Sequence, residues 1–165
     1  MMFDLHDSVG KKDLEGKTVF WDLDGTLAPF RFNGHICDPE GSPHGMSMRE
    51  VEDGIYFRRS PSRFMQRLIR DCGARENVIL THCHCDREIA DKHKWLDLHF
   101  PMIRERFVID EKISKIDTIA RYCAEKGIAY RDVVFIDDSL PFLREAERAG
   151  IPCWHVSSLF DYFES

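Results

Sequence analysis

The chain has 165 residues, 43% hydrophobic and 32% charged, and its 29 acidic against 23 basic side chains give a formal net charge of −6. That is one domain's length, enough to bury a core without disulfides or a structural metal, and its acidic balance argues against a protein that grips nucleic-acid duplexes. No apolar run nears the roughly 20 residues that span a bilayer, the N-terminal stretch alternates charges where a leader would be apolar, and the six cysteines read as thiols of a soluble cytoplasmic protein.

In chain order, residues 1–16 read as a mobile or weakly helical lead-in to a single domain over 17–165. The apolar run Thr18 to Trp21 is too short for a helix and reads as a first strand. Ala28 to Ser60 follows, rich in glycine and proline (Pro29, Gly34, Pro39, Gly41, Pro43, Gly45, Gly54) and long enough to be a functional flap. A helix with Ser60 and Pro61 at its first turn carries Phe64, Leu68, Ile69 and Cys72 on one face and stops at Gly73. Val78 to Leu80 forms a second strand, Ile89, His93 and Leu96 mark a second helix, and Phe107 to Ile109 a third strand. Ser114, with Asp117 three residues later, opens a helix near Lys115 whose stripe is Ile116, Ile119, Ala120 and Cys123, closed by Gly127. Val133 to Ile136, a helix through Phe142, Leu143 and Ala146, and the strand Cys153 to Val156 complete the pattern. Strands alternating with helices predict a three-layer α/β/α, Rossmann-like fold with a parallel five-stranded sheet and a short flap insertion after the first strand.

Ligands of such sheets bind beyond the carboxyl ends of the strands. The first strand ends in Asp22-Leu23-Asp24-Gly25-Thr26-Leu27, and a side-chain period of two turns Asp22 and Asp24 to the same side. The fourth ends in Asp137-Asp138-Ser139. Four carboxylates converging there repel one another unless a cation intervenes. A hard divalent ion, Mg²⁺, takes oxygen ligands and commonly shares them with a substrate phosphate, so the pattern implies Mg²⁺ and a phosphoryl group together.

Asp22-Leu23-Asp24-Gly25-Thr26-Leu27 resembles the first signature of the haloacid dehalogenase-like hydrolases. Val78-Ile79-Leu80-Thr81 is similar to their second signature, a lysine ahead of the last acidic strand to the third, and Asp137-Asp138 to the fourth, in order from about Thr18 to Pro152. The resemblance implies Asp22 as nucleophile, forming an aspartyl-phosphate, and Asp24 as general acid/base that also offers its backbone carbonyl to the metal. It implies Asp22, Asp24, Asp137 and Asp138 around Mg²⁺, and Thr81 and a lysine on the transferring phosphoryl. Lys112 and Lys115 both compete for that lysine; Lys115 is preferred because a helix start aims it at the strand ends and favours an anion. His82 departs from the small residue usual after the threonine and suggests an imidazole in the phosphate pocket.

Thr81-His82-Cys83-His84-Cys85-Asp86 contains zinc-type ligands, but neighbours in sequence make a poor tetrahedral site and no second pair follows, so the run reads as pocket lining or loop filling. Arg31, His35, His44, Arg58 and Arg59 read as surface charge, with contact to a substrate's remote group as the alternative. Phe30 and Phe32 suit ring stacking or packing, and Trp95 suits helix-end packing. Lys94 to Ile103 is similar to a stretch in the 5′(3′)-deoxyribonucleotidase branch, whose members carry a larger cap. The expectation is a Mg²⁺-dependent phosphomonoester hydrolase for a small phosphorylated substrate, a nucleotide among the candidates. Its alternatives are a phosphotransferase of the same fold and a non-catalytic phosphate-binding regulatory domain; the oligomeric state stays open.

Overall fold

A computed structural model describes residues 8–29 and 51–164. Strands β1 (Thr18–Trp21), β2 (Glu76–Cys83), β3 (Glu105–Asp110), β4 (Val133–Asp137) and β5 (Cys153–His155) form one sheet in the order β3-β2-β1-β4-β5. Every pairing is parallel, with Trp21 facing Ile79 on one side and Ile136 on the other. Alternation along β1 sends Val19 and Trp21 to one face and Phe20 to the other, and all three are fully buried. On the first face they meet Met65 and Leu68 of α2 (Arg63–Asp71) and Trp95 and Leu96 of α3 (Asp86–His99). On the second, Ile116 and Ile119 of α4 (Lys115–Lys126) and Leu143 and Ala146 of α5 (Leu140–Arg148) close over Phe20, Val78 and Phe135. Two helical layers around one parallel sheet are the architecture the alternating pattern predicts.

Three expectations are refined. The lead-in is not loose at its end: a short helix α1 (Lys11–Leu14) buries Leu14, and Val9 donates its N–H to Ser158 O at 2.8 Å. α2 begins at Arg63 and not at Pro61, because Ser62 accepts the amide of Met65 and so supplies the cap. In α3 the buried face holds Glu88, Lys92, Trp95 and Leu96 where the sequence pattern favoured Ile89 and His93. Of the predicted flap, residues 30–50 lie outside the described residues, and with them Phe30, Arg31, Phe32, His35, Cys37 and His44. Its return ends in a 3-10 turn, Ile55–Arg58, that buries Ile55 and Tyr56. Cys72, Cys83, Cys85, Cys123 and Cys153 are free. No helix among the described residues is long and apolar enough to cross a membrane.

The start of α4 carries a functional side chain, so its cap matters. Ser114 accepts the Asp117 N–H at 3.1 Å, and Gly127 closes the helix at φ +67°, a left-handed conformation that glycine adopts without strain. Ser114→Ala should lower stability by about 1 kcal/mol in urea titration.

Candidate active site

The carboxyl edge of the sheet is built first by β1. Asp22 N donates to Ile136 O at 3.0 Å, carrying the ladder one residue beyond the strand. The chain then reverses: Leu23 O accepts from Leu27 N and Ala28 N, both at 2.9 Å, and Gly25 sits at φ +83°. A side chain at that φ would be strained, which explains the glycine behind the acids.

Because β4 is in register with β1, Asp137 comes up beside Asp22, and between them lies the first residue of α4. Lys115 Nζ is 2.6 Å from Asp22 Oδ1 and 2.8 Å from Asp137 Oδ2, buried, with the Phe142 ring 4.7 Å beneath it. Asp137 Oδ1 accepts the Ser139 N–H at 2.8 Å. Oxygens of Asp22, Asp137 and Asp138 lie within 4.8 Å of one another. Burial pushes the Asp22 carboxyl up to about 8, a rise that Lys115 opposes and that Asp137, Asp24 and Asp138 reinforce. Burial, then Asp137, pushes Asp138 up to about 6. One ammonium therefore does not balance this cluster, and an oxygen-only donor set short of positive charge fits a hard divalent cation. Lys112, the competing lysine, is exposed, its N–H bonded to Asp110 Oδ1.

Thr81, near the end of β2, is buried, and its Oγ1 lies 3.2 Å from Lys92 Nζ. His82 is half-buried. Burial lowers its pKa, and because a carbonyl only accepts, its Nε2–H donates to Ile113 O at 2.9 Å, tying β2 to the segment ahead of Lys115. The histidine and cysteine run does not converge on a point. Cys83 Sγ bonds Ile109 O, whereas His84 lies between Glu88 Oε2, 2.9 Å from its Nδ1, and Glu111 Oε2, 3.2 Å from its Nε2.

Asp24 enters a second polar cluster that the sequence reading missed. Its Oδ2 is 2.8 Å from Lys92 Nζ, its Oδ1 is paired with Arg59 Nη1, and the Tyr56 hydroxyl lies 3.0 and 3.1 Å from the two oxygens. Lys92 also meets Glu88 Oε1 at 2.9 Å, and Glu88 Oε2 accepts the His84 N–H at 2.7 Å. Burial alone would raise the Asp24 carboxyl, yet Lys92 and then Arg59 hold it down to about 2. Arg59, expected at the surface, is 5% exposed; Trp95 Nε1 donates to its carbonyl at 2.9 Å and its guanidinium also reaches Ala28 O. Arg58 beside it is exposed. The signal available in the sequence was Glu88, Lys92, Trp95 and Leu96 sharing one helical face, two charges among apolar residues.

Neither a family model nor a curated protein matches the chain. Among solved structures it is similar to the 3-deoxy-D-manno-octulosonate 8-phosphate phosphatase from Moraxella catarrhalis, crystallised with magnesium ion, phosphate ion and KDO. The identity is 18%, the TM-score 0.46, and the match covers 85% of this chain but only 66% of that one. It is also similar to a hypothetical protein from Xanthomonas campestris at 18% identity and TM-score 0.46, over 94% of this chain and 78% of that one.

Proposed function

We propose that the protein is a Mg²⁺-dependent phosphomonoester hydrolase of the haloacid dehalogenase-like type, working through an aspartyl-phosphate on Asp22. The observation that carries this reading is Lys115, buried between Asp22 and Asp137 at the carboxyl edge of the sheet. Asp22, Asp137 and Asp138, with the Asp24 backbone carbonyl, would hold Mg²⁺, which when bound neutralises the acids and withdraws charge from the phosphoryl oxygens. Asp22 attacks phosphorus and takes the phosphoryl group; water then releases it. Lys115 and Thr81 stabilise the charge on the equatorial oxygens, with the His82 amide beside them. Asp24 moves the proton at the leaving oxygen. Because Lys92 and Arg59 keep its carboxylate ionised at rest, the proton arrives with the substrate's phosphoryl monoanion.

The substrate is a small phosphate ester. A nucleotide stays a candidate through the Lys94 to Ile103 likeness, although Trp95, Leu96, Phe100 and Ile103 of that stretch are core residues. The test is phosphate release from nucleotides, sugar phosphates, phosphoamino acids and an aryl phosphate, with Mg²⁺ or with chelator. Release that chelator abolishes is expected; release indifferent to chelator, or none at all, would overturn the reading. Transfer to added alcohols in place of water would redirect it to a phosphotransferase. Independently of turnover, Mg²⁺ at a hundredfold excess over its Kd should stabilise the fold by about 2.7 kcal/mol. Asp137→Asn should remove most of that gain in a thermal melt.

A further inference from the structure

Beyond holding Asp24 ionised, Lys92 has a second contact in the site: its ammonium is buried against both Asp24 and Thr81. Four acceptors surround it: Asp24 Oδ2 at 2.8 Å, Glu88 Oε1 at 2.9 Å, Thr81 Oγ1 at 3.2 Å and the His82 carbonyl. The lysine is 1% exposed and Glu88 0%, so neither is a solvated helix-face charge. An ammonium has three N–H donors and no acceptor, whereas a threonine hydroxyl has one donor and two lone pairs. Where the two meet, Lys92 donates and Thr81 accepts, and the hydroxyl proton is turned away from the lysine. The remaining bond of that hydroxyl is a long one, 3.4 Å to His82 O, an acceptor that Lys92 also occupies. The Thr81 proton is held only by that long bond, which an incoming phosphoryl oxygen can replace.

Glu88 fixes the lysine in this role. One of its oxygens takes Lys92 and the Tyr56 hydroxyl at 3.2 Å, and the other takes the backbone N–H and the ring of His84. The ammonium thus ties α3 to the end of β2 and to the reversal after β1, the two places that present Thr81 and Asp24. We propose that Lys92 is a positioning residue of the phosphoryl site, setting the Thr81 hydroxyl as a donor and holding it in register with the Asp24 carboxylate. This inference rests on the phosphatase reading of the same site.

The test is a double-mutant cycle on inorganic phosphate affinity, measured by calorimetry with Mg²⁺, for wild type, Lys92→Met, Thr81→Val and the double variant. Each single change should weaken phosphate by about tenfold, the size of one hydrogen bond to a charged group. The double should lose about tenfold as well, because both remove the same donor. Lys92→Gln, of similar length and without charge, carries the same cycle if Lys92→Met fails to fold; it should show the same non-additive loss. A hundredfold loss in the double variant, or wild-type affinity in Lys92→Gln, would overturn the positioning role while leaving the phosphatase reading in place. Absence of phosphate binding by the wild type would remove that reading and this inference with it.

Discussion

Asp22→Asn should abolish phosphate release, by at least about 10³-fold, without weakening the fold. The amide has the carboxylate's shape but no negative oxygen to attack phosphorus, so the chemical step loses its nucleophile. Stability should behave differently. With the Asp22 carboxyl pushed up to about 8 by burial and by Asp137, Asp24 and Asp138, its ionisation near neutral pH works against the metal-free fold. Asparagine removes that cost and leaves Lys115 paired to Asp137 at 2.8 Å. The expected pair of results is therefore no turnover and a melting temperature, in chelator, at or above that of the wild type. Full activity in the variant would show that another group attacks.

Lys115→Met should do the reverse to stability. It leaves Asp22 and Asp137, both buried, without the ammonium that lies 2.6 and 2.8 Å from them. Stranding buried charges in this way costs about 3–5 kcal/mol, read as a fall in the urea midpoint of the metal-free protein. Turnover should fall as well, since the same ammonium is the cation set to meet the phosphoryl oxygens. Lys112→Met is the control. Exposed and three residues away, it should change stability by less than about 0.5 kcal/mol and leave turnover intact. Equal effects at the two positions would remove Lys115 from the site.

The strands and the acidic ends of β1 and β4 were legible because each is a local pattern: an uninterrupted apolar run, then carboxylates at a spacing of one or two. Lys115 was legible for a similar reason, since Ser114 and Asp117 mark where its helix begins. The cage around Asp24 was not. Glu88 and Lys92 form an i,i+4 pair, which on most helices is a solvated surface pair, and only the fold places Asp24 and Thr81 against it. Arg59 looked like its exposed neighbour Arg58 because nothing near it in sequence reveals that Trp95 holds its carbonyl. Charge burial of this kind depends on contacts between segments far apart along the chain, where periodicity carries no information.

The position of β1 between β2 and β4 also sets a schedule for folding. As the nascent chain emerges, Val19, Phe20 and Trp21 leave the ribosome well before Val133 to Ile136, and until that later segment has been made one edge of their strand has no partner. Closing so long a loop is slow, and until it closes an apolar strand edge is available to other chains. Weakening β4, for example with Val134→Ala, should therefore reduce the soluble yield during synthesis more than its equilibrium cost alone would suggest.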